Sequence, residues 1–155
     1  MAAVCSAAHE WVVHFYGTGP VKIGMSLAEL NTALHEKFLM PQDKDEQECF
    51  YVNLSKHPGI ALMIEKGHVA RVDVDRPGVS TAEGVKIGDS ESRAMQVYGN
   101  KVKVEPHFYT APEGHYLTVL SKNQRYGIRF ETDQGKIAKF YAGQRRAIAY
   151  VEGCQ

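Results

Sequence analysis

The string VKIGMS at residues 21–26 returns 64 positions later as VKIGDS at residues 85–90. In both places a short apolar approach ends in Gly and is followed by a Ser placed to cap a helix. The correspondence continues downstream. Leu54-Ser55-Lys56 recurs as Leu120-Ser121-Lys122, and Gly59-Ile60 recurs as Gly127-Ile128. Gly67-His68-Val69-Ala70-Arg71-Val72 aligns with Gly135-Lys136-Ile137-Ala138-Lys139-Phe140. The offset drifts from 64 to 66 to 68, and each change falls between elements, where insertions are tolerated. A chain patterned this way is expected to fold as two tandem copies of one unit.

Each copy reads as a helix followed by strands. Residues 10–16, EWVVHFY, form an expected first strand that the breaker GTGP ends. Ser26 and Glu29 have capping-box spacing, and Leu27, Leu30, Leu34 and Phe38 predict a helix through about Lys37. The charged stretch at 40–48 reads as a surface connector. Strands follow at 49–55, 60–65 and 68–75, separated by the turn signals His57-Pro58-Gly59 and Lys66-Gly67, so they should be antiparallel neighbours.

After a linker at 76–83, Ser90 caps a shorter helix marked by Ala94, Val97 and Tyr98 and ended by Gly99. A short strand at 101–105, the loop HFYTAPEGH at 107–115, and strands at 116–121, 127–132 and 136–142 complete the second copy. The alternating AIAYVE at 147–152 predicts a last strand, with the N-terminal strand as a possible partner. The expected fold class is α+β: two α-β-β-β units, at about 20–76 and 84–142, sharing an antiparallel sheet with helices on one face. Residues 10–155 make one domain, and residues 1–9 read as a disordered or processed N-terminal segment.

Lys plus Arg and Asp plus Glu both number 18, so the net charge is zero and a nucleic-acid partner is not expected. No apolar run reaches the roughly 18–20 residues that span a bilayer. Of the three cysteines, Cys49 opens a strand and Cys154 lies in the tail YVEGCQ. A Cys49–Cys154 bridge would tie the tail to the first unit, leave Cys5 free, and imply a periplasmic or secreted home. The alternative is reduced thiols in a cytoplasmic protein.

The strings VKIGMSLAEL and VKIGDSESRAM, each a Gly and a capping Ser opening a short helix that feeds antiparallel strands, resemble the BamE/SmpA-type unit. Doubled in tandem over about residues 20–142, the pattern resembles the beta-lactamase inhibitor protein architecture. That resemblance implies an extracytoplasmic protein that works by binding another protein. It transfers no partner identity.

Chemical motifs are sparse. The seven histidines are scattered, and no set of them has metal-ligand spacing; His107 and His115 bracket one loop with only Glu113 between them as a further donor. No Gly-x-Ser-x-Gly elbow, phosphate loop or dinucleotide fingerprint occurs, so no catalytic residue and no cofactor are assigned. Asp73 and Asp75 share a strand face beside Arg71 and Arg76, as exposed strand carboxylates do.

Alternation places Ala70, Val72, Val74, Ala138, Phe140 and Ala142 on the face under the helices, with Ile60, Leu62, Ile64, Ile128 and Phe130. The opposite face then carries Tyr51, Met63, Arg71, Asp73, Arg129, Glu131 and Tyr141, with cross-strand charge pairs such as Arg71 with Glu131. Aromatics, Met and Arg among charges suit protein recognition. The loop adds His107, Phe108 and Tyr109. The expected function is an exported, non-enzymatic protein-binding module using that sheet face or that loop. The alternative is a small-molecule-binding or hydrolytic domain with a pocket at residues 107–115, lined by His107, Tyr109 and His115.

Overall fold

The computed structural model describes residues 11–154. The expectations for residues 1–9, Glu10 and Cys5 lie outside them. In chain order the elements are β1 (Val13–His14), β2 (Gly17–Thr18), β3 (Val21–Lys22), α1 (Leu27–Leu34), α2 (Lys44–Gln47), β4 (Cys49–Asn53), β5 (Ile60–Glu65) and β6 (His68–Val74). The second half contributes α3 (Glu91–Tyr98), a 3-10 turn (Gly99–Lys101), β7 (Lys103–Pro106), β8 (His115–Leu120), β9 (Tyr126–Asp133), β10 (Lys136–Gln144) and α4 (Arg145–Ile148).

The fold is α+β. Strands β1-β2-β3 form a small antiparallel sheet, and the large antiparallel sheet has the order β4-β5-β6-β10-β9-β8-β7. The last strands of the two halves, β6 and β10, pair at its centre, from Val74↔Phe140 to Arg71↔Gly143.

Helices α1 and α3 start as their sequences dictate. The Ser26 hydroxyl accepts the Glu29 N–H at 3.1 Å, and Glu29 Oε1 accepts the Ser26 N–H at 3.2 Å, completing the capping box. Those bonds hold the Glu29 carboxyl below the usual range. Ser90 accepts the Arg93 N–H in the same way. Helix α1 ends three residues short of expectation because His35 adopts a left-handed conformation (φ 53°). The Asn31 side chain then grips the Phe38 backbone through both N–H and C=O, at 2.8 and 3.0 Å. Phe38 therefore packs on the core at helical spacing without being helical.

The two strings that open the halves make the same backbone bonds. Gly24 N–H donates to Val69 O, Val69 N–H to Met25 O and Leu27 N–H to Gly67 O; correspondingly, Gly88 donates to Ile137, Ile137 to Asp89 and Glu91 to Gly135. One residue beyond each of these anchors the strand pairing skips a position. Ala70 falls between Val69 (opposite Ile64) and Arg71 (opposite Met63), and Ala138 between Ile137 and Lys139.

These bulges correct the face assignment for two residues. Ala70 packs on the outer face with Met63 and Ala147, and Ala138 is exposed. The remaining inner-face assignments hold: Val72, Val74, Phe140, Ala142, Ile60, Leu62, Ile64, Ile128 and Phe130 are buried in one core with Leu30 of α1 and with Ala94 and Tyr98 of α3. Burying an apolar side chain there stabilises the fold by about 1.5–3 kcal/mol.

Two expected strands are absent. Residues 11–16 do not form one extended strand; the chain turns after His14, and the string GTGP supplies β2 rather than a simple stop. Residues 147–152 are not a strand either. The chain leaves β10 as the short helix α4, and the following residues bend across the outer face.

Glycine makes that path possible. Gly127 and Gly143 lie opposite each other on the outer face. A Cβ at Gly127 would come 2.5 Å from Ile148 Cδ1, and one at Gly143 would come 2.2 Å from Ala70 O. The bare backbone at Gly127 receives Ile148 of α4, and Gly143 lets β10 approach the β6 backbone at the Ala70 bulge. No helix among the described residues is long and apolar enough to cross a membrane.

Candidate functional site

Pairing brings seven of the ten expected site residues into three outer-face rows. Asn53, Ala61, Asp73, Tyr141, Arg129, Thr118 and Lys103 stand in one register across β4, β5, β6, β10, β9, β8 and β7. Lys139, Glu131, Tyr116 and Glu105 form the adjacent row. Tyr51, Met63 and Arg71 form a third, on the side of α4.

This third row is covered. The C-terminal segment crosses it and closes with the expected disulfide Cys49–Cys154, which ties the tail to the first half. The Tyr150 hydroxyl donates to Glu65 Oε2 at 2.6 Å, and Arg146 pairs with Glu65 Oε1. Met63 is fully buried beneath.

Arg71 holds this cover in place. It is 3% exposed and donates Nε and Nη2 to the Asp73 carboxylate at 2.6 Å each, Nη1 to Ala147 O at 2.9 Å, and Nη2 to the Tyr51 hydroxyl at 3.0 Å. Its guanidinium also lies 4.0 Å from the Tyr141 ring centroid. The expected pairing of Arg71 with Glu131 does not occur, because Arg71 stands opposite Gly143. Burial pushes the Asp73 carboxyl above its usual range, against the opposing pull of Arg71. The Arg71 guanidinium is raised: its burial, the largest influence, acts in the other direction, but the bonds and charge of Asp73 outweigh it.

Glu131 is equally buried and serves the loop at 107–115. The ring Nδ1 of His107 accepts the N–H groups of Tyr109 and Thr110 at 3.0 and 3.2 Å. That bonding assigns the ring proton to Nε2, which donates to Glu131 Oε1 at 2.6 Å. Lys139 approaches the other carboxylate oxygen at 3.6 Å. Tyr141 is 2% exposed, with its hydroxyl among the buried groups lacking a well-formed hydrogen bond. Burial first, and then the neighbouring Glu131 charge, raise that phenol far above the usual tyrosine range. Arg129 donates to Thr118 Oγ1 at 3.1 Å and lies over the Tyr116 ring.

The other end of the loop is held separately. His115 Nδ1 lies 2.8 Å from Glu91 Oε1, and Thr132 Oγ1 accepts the His115 N–H at 2.8 Å. His107 and His115 thus face different carboxylates and do not converge. Between these anchors, Phe108 and Tyr109 project with 70% and 60% exposure and meet edge to face at 4.9 Å. The Tyr109 hydroxyl reaches Glu152, so the loop and the C-terminal segment join above the sheet, next to exposed Val151. A cavity of about 370 Å³ lies on the sheet itself, lined by Tyr51, Asn53, Asp73, Lys139 and Tyr141 among others.

The roles of Glu65, Glu91, Val151 and Glu152 were not foreseen from sequence. The partners of the three glutamates lie 24 to 85 residues away, which no local spacing reports.

No protein-family model matches the chain, and no curated protein matches it. Among solved structures, the chain is similar to a DUF4309 family protein (YjgB) from Bacillus subtilis, at 10% identity and a TM-score of 0.49, over 86% of this chain and 88% of that one.

Proposed function

We propose that the protein is an exported, non-enzymatic binding module of two tandem units that holds a protein partner on the Phe108–Tyr109 tip. The observation that carries this reading is the contrast within one loop. Its backbone is pinned by the buried His107–Glu131 pair, while its two aromatic side chains stand in solvent. Rigid, exposed aromatics lose little entropy on binding and supply most hot-spot energy. Most of the sheet-face residues are already engaged within the molecule, which favours the loop over the flat face as the contact. The recurring strings and backbone bonds support the tandem reading, and the disulfide fits an oxidising compartment.

A photoactivatable phenylalanine analogue placed at position 108 tests this in the producing cell. One discrete cross-linked species is expected from position 108 and none from the exposed control position Glu46. Phe108→Ala should weaken capture of that same partner by about thirtyfold, as loss of roughly 2 kcal/mol from a hot spot requires. Equal cross-linking from both positions would sink the reading.

A further inference from the structure

A cavity of about 1,090 Å³ lies away from the aromatic tip, beside the end of β8. Strand β7 covers β8 only from His115 to Thr118, so Val119 and Leu120 extend past it into this cleft, paired on their β9 side alone. Val97 and Leu120, both partly exposed, supply apolar surface. Around the cleft stand Lys101, Lys103, Lys122, Arg129 and Arg145, against only Glu83 and Glu105.

The charge balance is what singles it out. Five cations against two carboxylates give the cleft +3 in a protein whose net charge is zero. Both carboxylates are engaged: Glu105 with Lys103 at 3.4 Å, and Glu83 with the Tyr98 hydroxyl at 2.9 Å. Arg129 is already oriented by Thr118 and Tyr116. The cations come from four separate segments of chain and so border the cleft rather than converge on one point.

We propose that this cleft binds an extended acidic peptide segment, its backbone running beside the uncovered end of β8 and its carboxylates meeting the lysines and arginines on the rims. Spaced cations match a row of side chains better than a single anionic headgroup. A strand end with an open side offers the main-chain pairing through which extended peptides are held. The site is distinct from the Phe108–Tyr109 tip and does not depend on it.

The probe is a fluorescein-labelled, end-blocked octapeptide alternating Glu or Asp with Val, followed by fluorescence anisotropy with the intact oxidised protein. Saturable binding is expected that weakens as salt rises from 50 to 300 mM, values that bracket a Debye length of about 10 Å. The exposed pair Lys122→Glu and Arg145→Glu should weaken binding by about tenfold or more, with the melting temperature checked to show that the fold survives. Phe108→Ala should leave this binding unchanged, which separates its failure from failure of the partner reading. The proposal is overturned if the peptide does not bind, or if the charge reversals do not weaken it. It is also overturned if inorganic polyphosphate of equal charge competes as well as the unlabelled peptide, since that would mean an unspecific cationic surface.

Discussion

Arg71 was expected on an outward recognition face and is instead enclosed, which makes Arg71→Met a direct test of its role. The substitution keeps much of the aliphatic volume and removes every donor. It strands the Asp73 carboxylate and leaves Ala147 O and the Tyr51 hydroxyl without the guanidinium that joins them. Removing one member of a buried ion pair typically costs about 3–5 kcal/mol, because the remaining charge stays desolvated. For a chain of this size that corresponds to a fall in melting temperature of roughly 10 °C. Adding Asp73→Leu removes the stranded charge and should recover most of the loss, so the double variant should be more stable than Arg71→Met alone. Urea unfolding of the wild type, both single variants and the double variant measures the coupling directly. If Arg71→Met costs less than about 1 kcal/mol, the enclosure argument fails and Arg71 behaves as a surface residue.

Three other outcomes follow from the same face and core. Cys154→Ser removes a link across 105 residues and should lower stability by about 2–5 kcal/mol, read as a lower urea midpoint; an unchanged midpoint would show that the bridge constrains nothing. Gly143→Ala should destabilise more than Gly127→Ala. The new methyl meets backbone at Ala70 in the first case, whereas the nearest atom in the second is the movable end of Ile148; thermal melts in the opposite order would refute the close approach of β10 to the Ala70 bulge at Gly143.

Tyr98 and Tyr141 have phenols raised far above 10, chiefly by burial. A folded-state value above the unfolded one contributes stability that is whole below about pH 10 and is lost as pH climbs further. Ultraviolet titration should therefore show these two phenols ionising only as the protein unfolds in alkali, and early ionisation of all tyrosines would contradict the burial.

What the sequence made legible was whatever is written locally. The capping serines, the strand order and the inner apolar rows follow from spacing of a few residues. Ala70 and Ala138 escaped because a bulge leaves no mark in a pattern of alternating side chains until the register of the neighbouring strand is known. The last segment escaped for a related reason. AIAYVE alternates as a strand should, but its path depends on Gly127, which clears space for Ile148. In the loop, Phe108 and Tyr109 could be picked out by type, but the assignment of His107 as anchor depends on Glu131, 24 residues away.

The seam between β6 and β10 gives the chain an unusual division of labour. Every other neighbouring pair in the large sheet joins consecutive strands, so each half is a meander built from local pairings, and the seam is the strand pairing in that sheet that joins distant residues. Closing long loops before they are rewarded slows folding, which makes zipping of the two meanders the natural rate-limiting event. It also separates chain continuity from structural continuity. A protease cut in the exposed turn at residues 76–78 would divide the polypeptide between the meanders without interrupting either one. The two pieces would remain a single covalent molecule through Cys49 and Cys154, parting only on reduction.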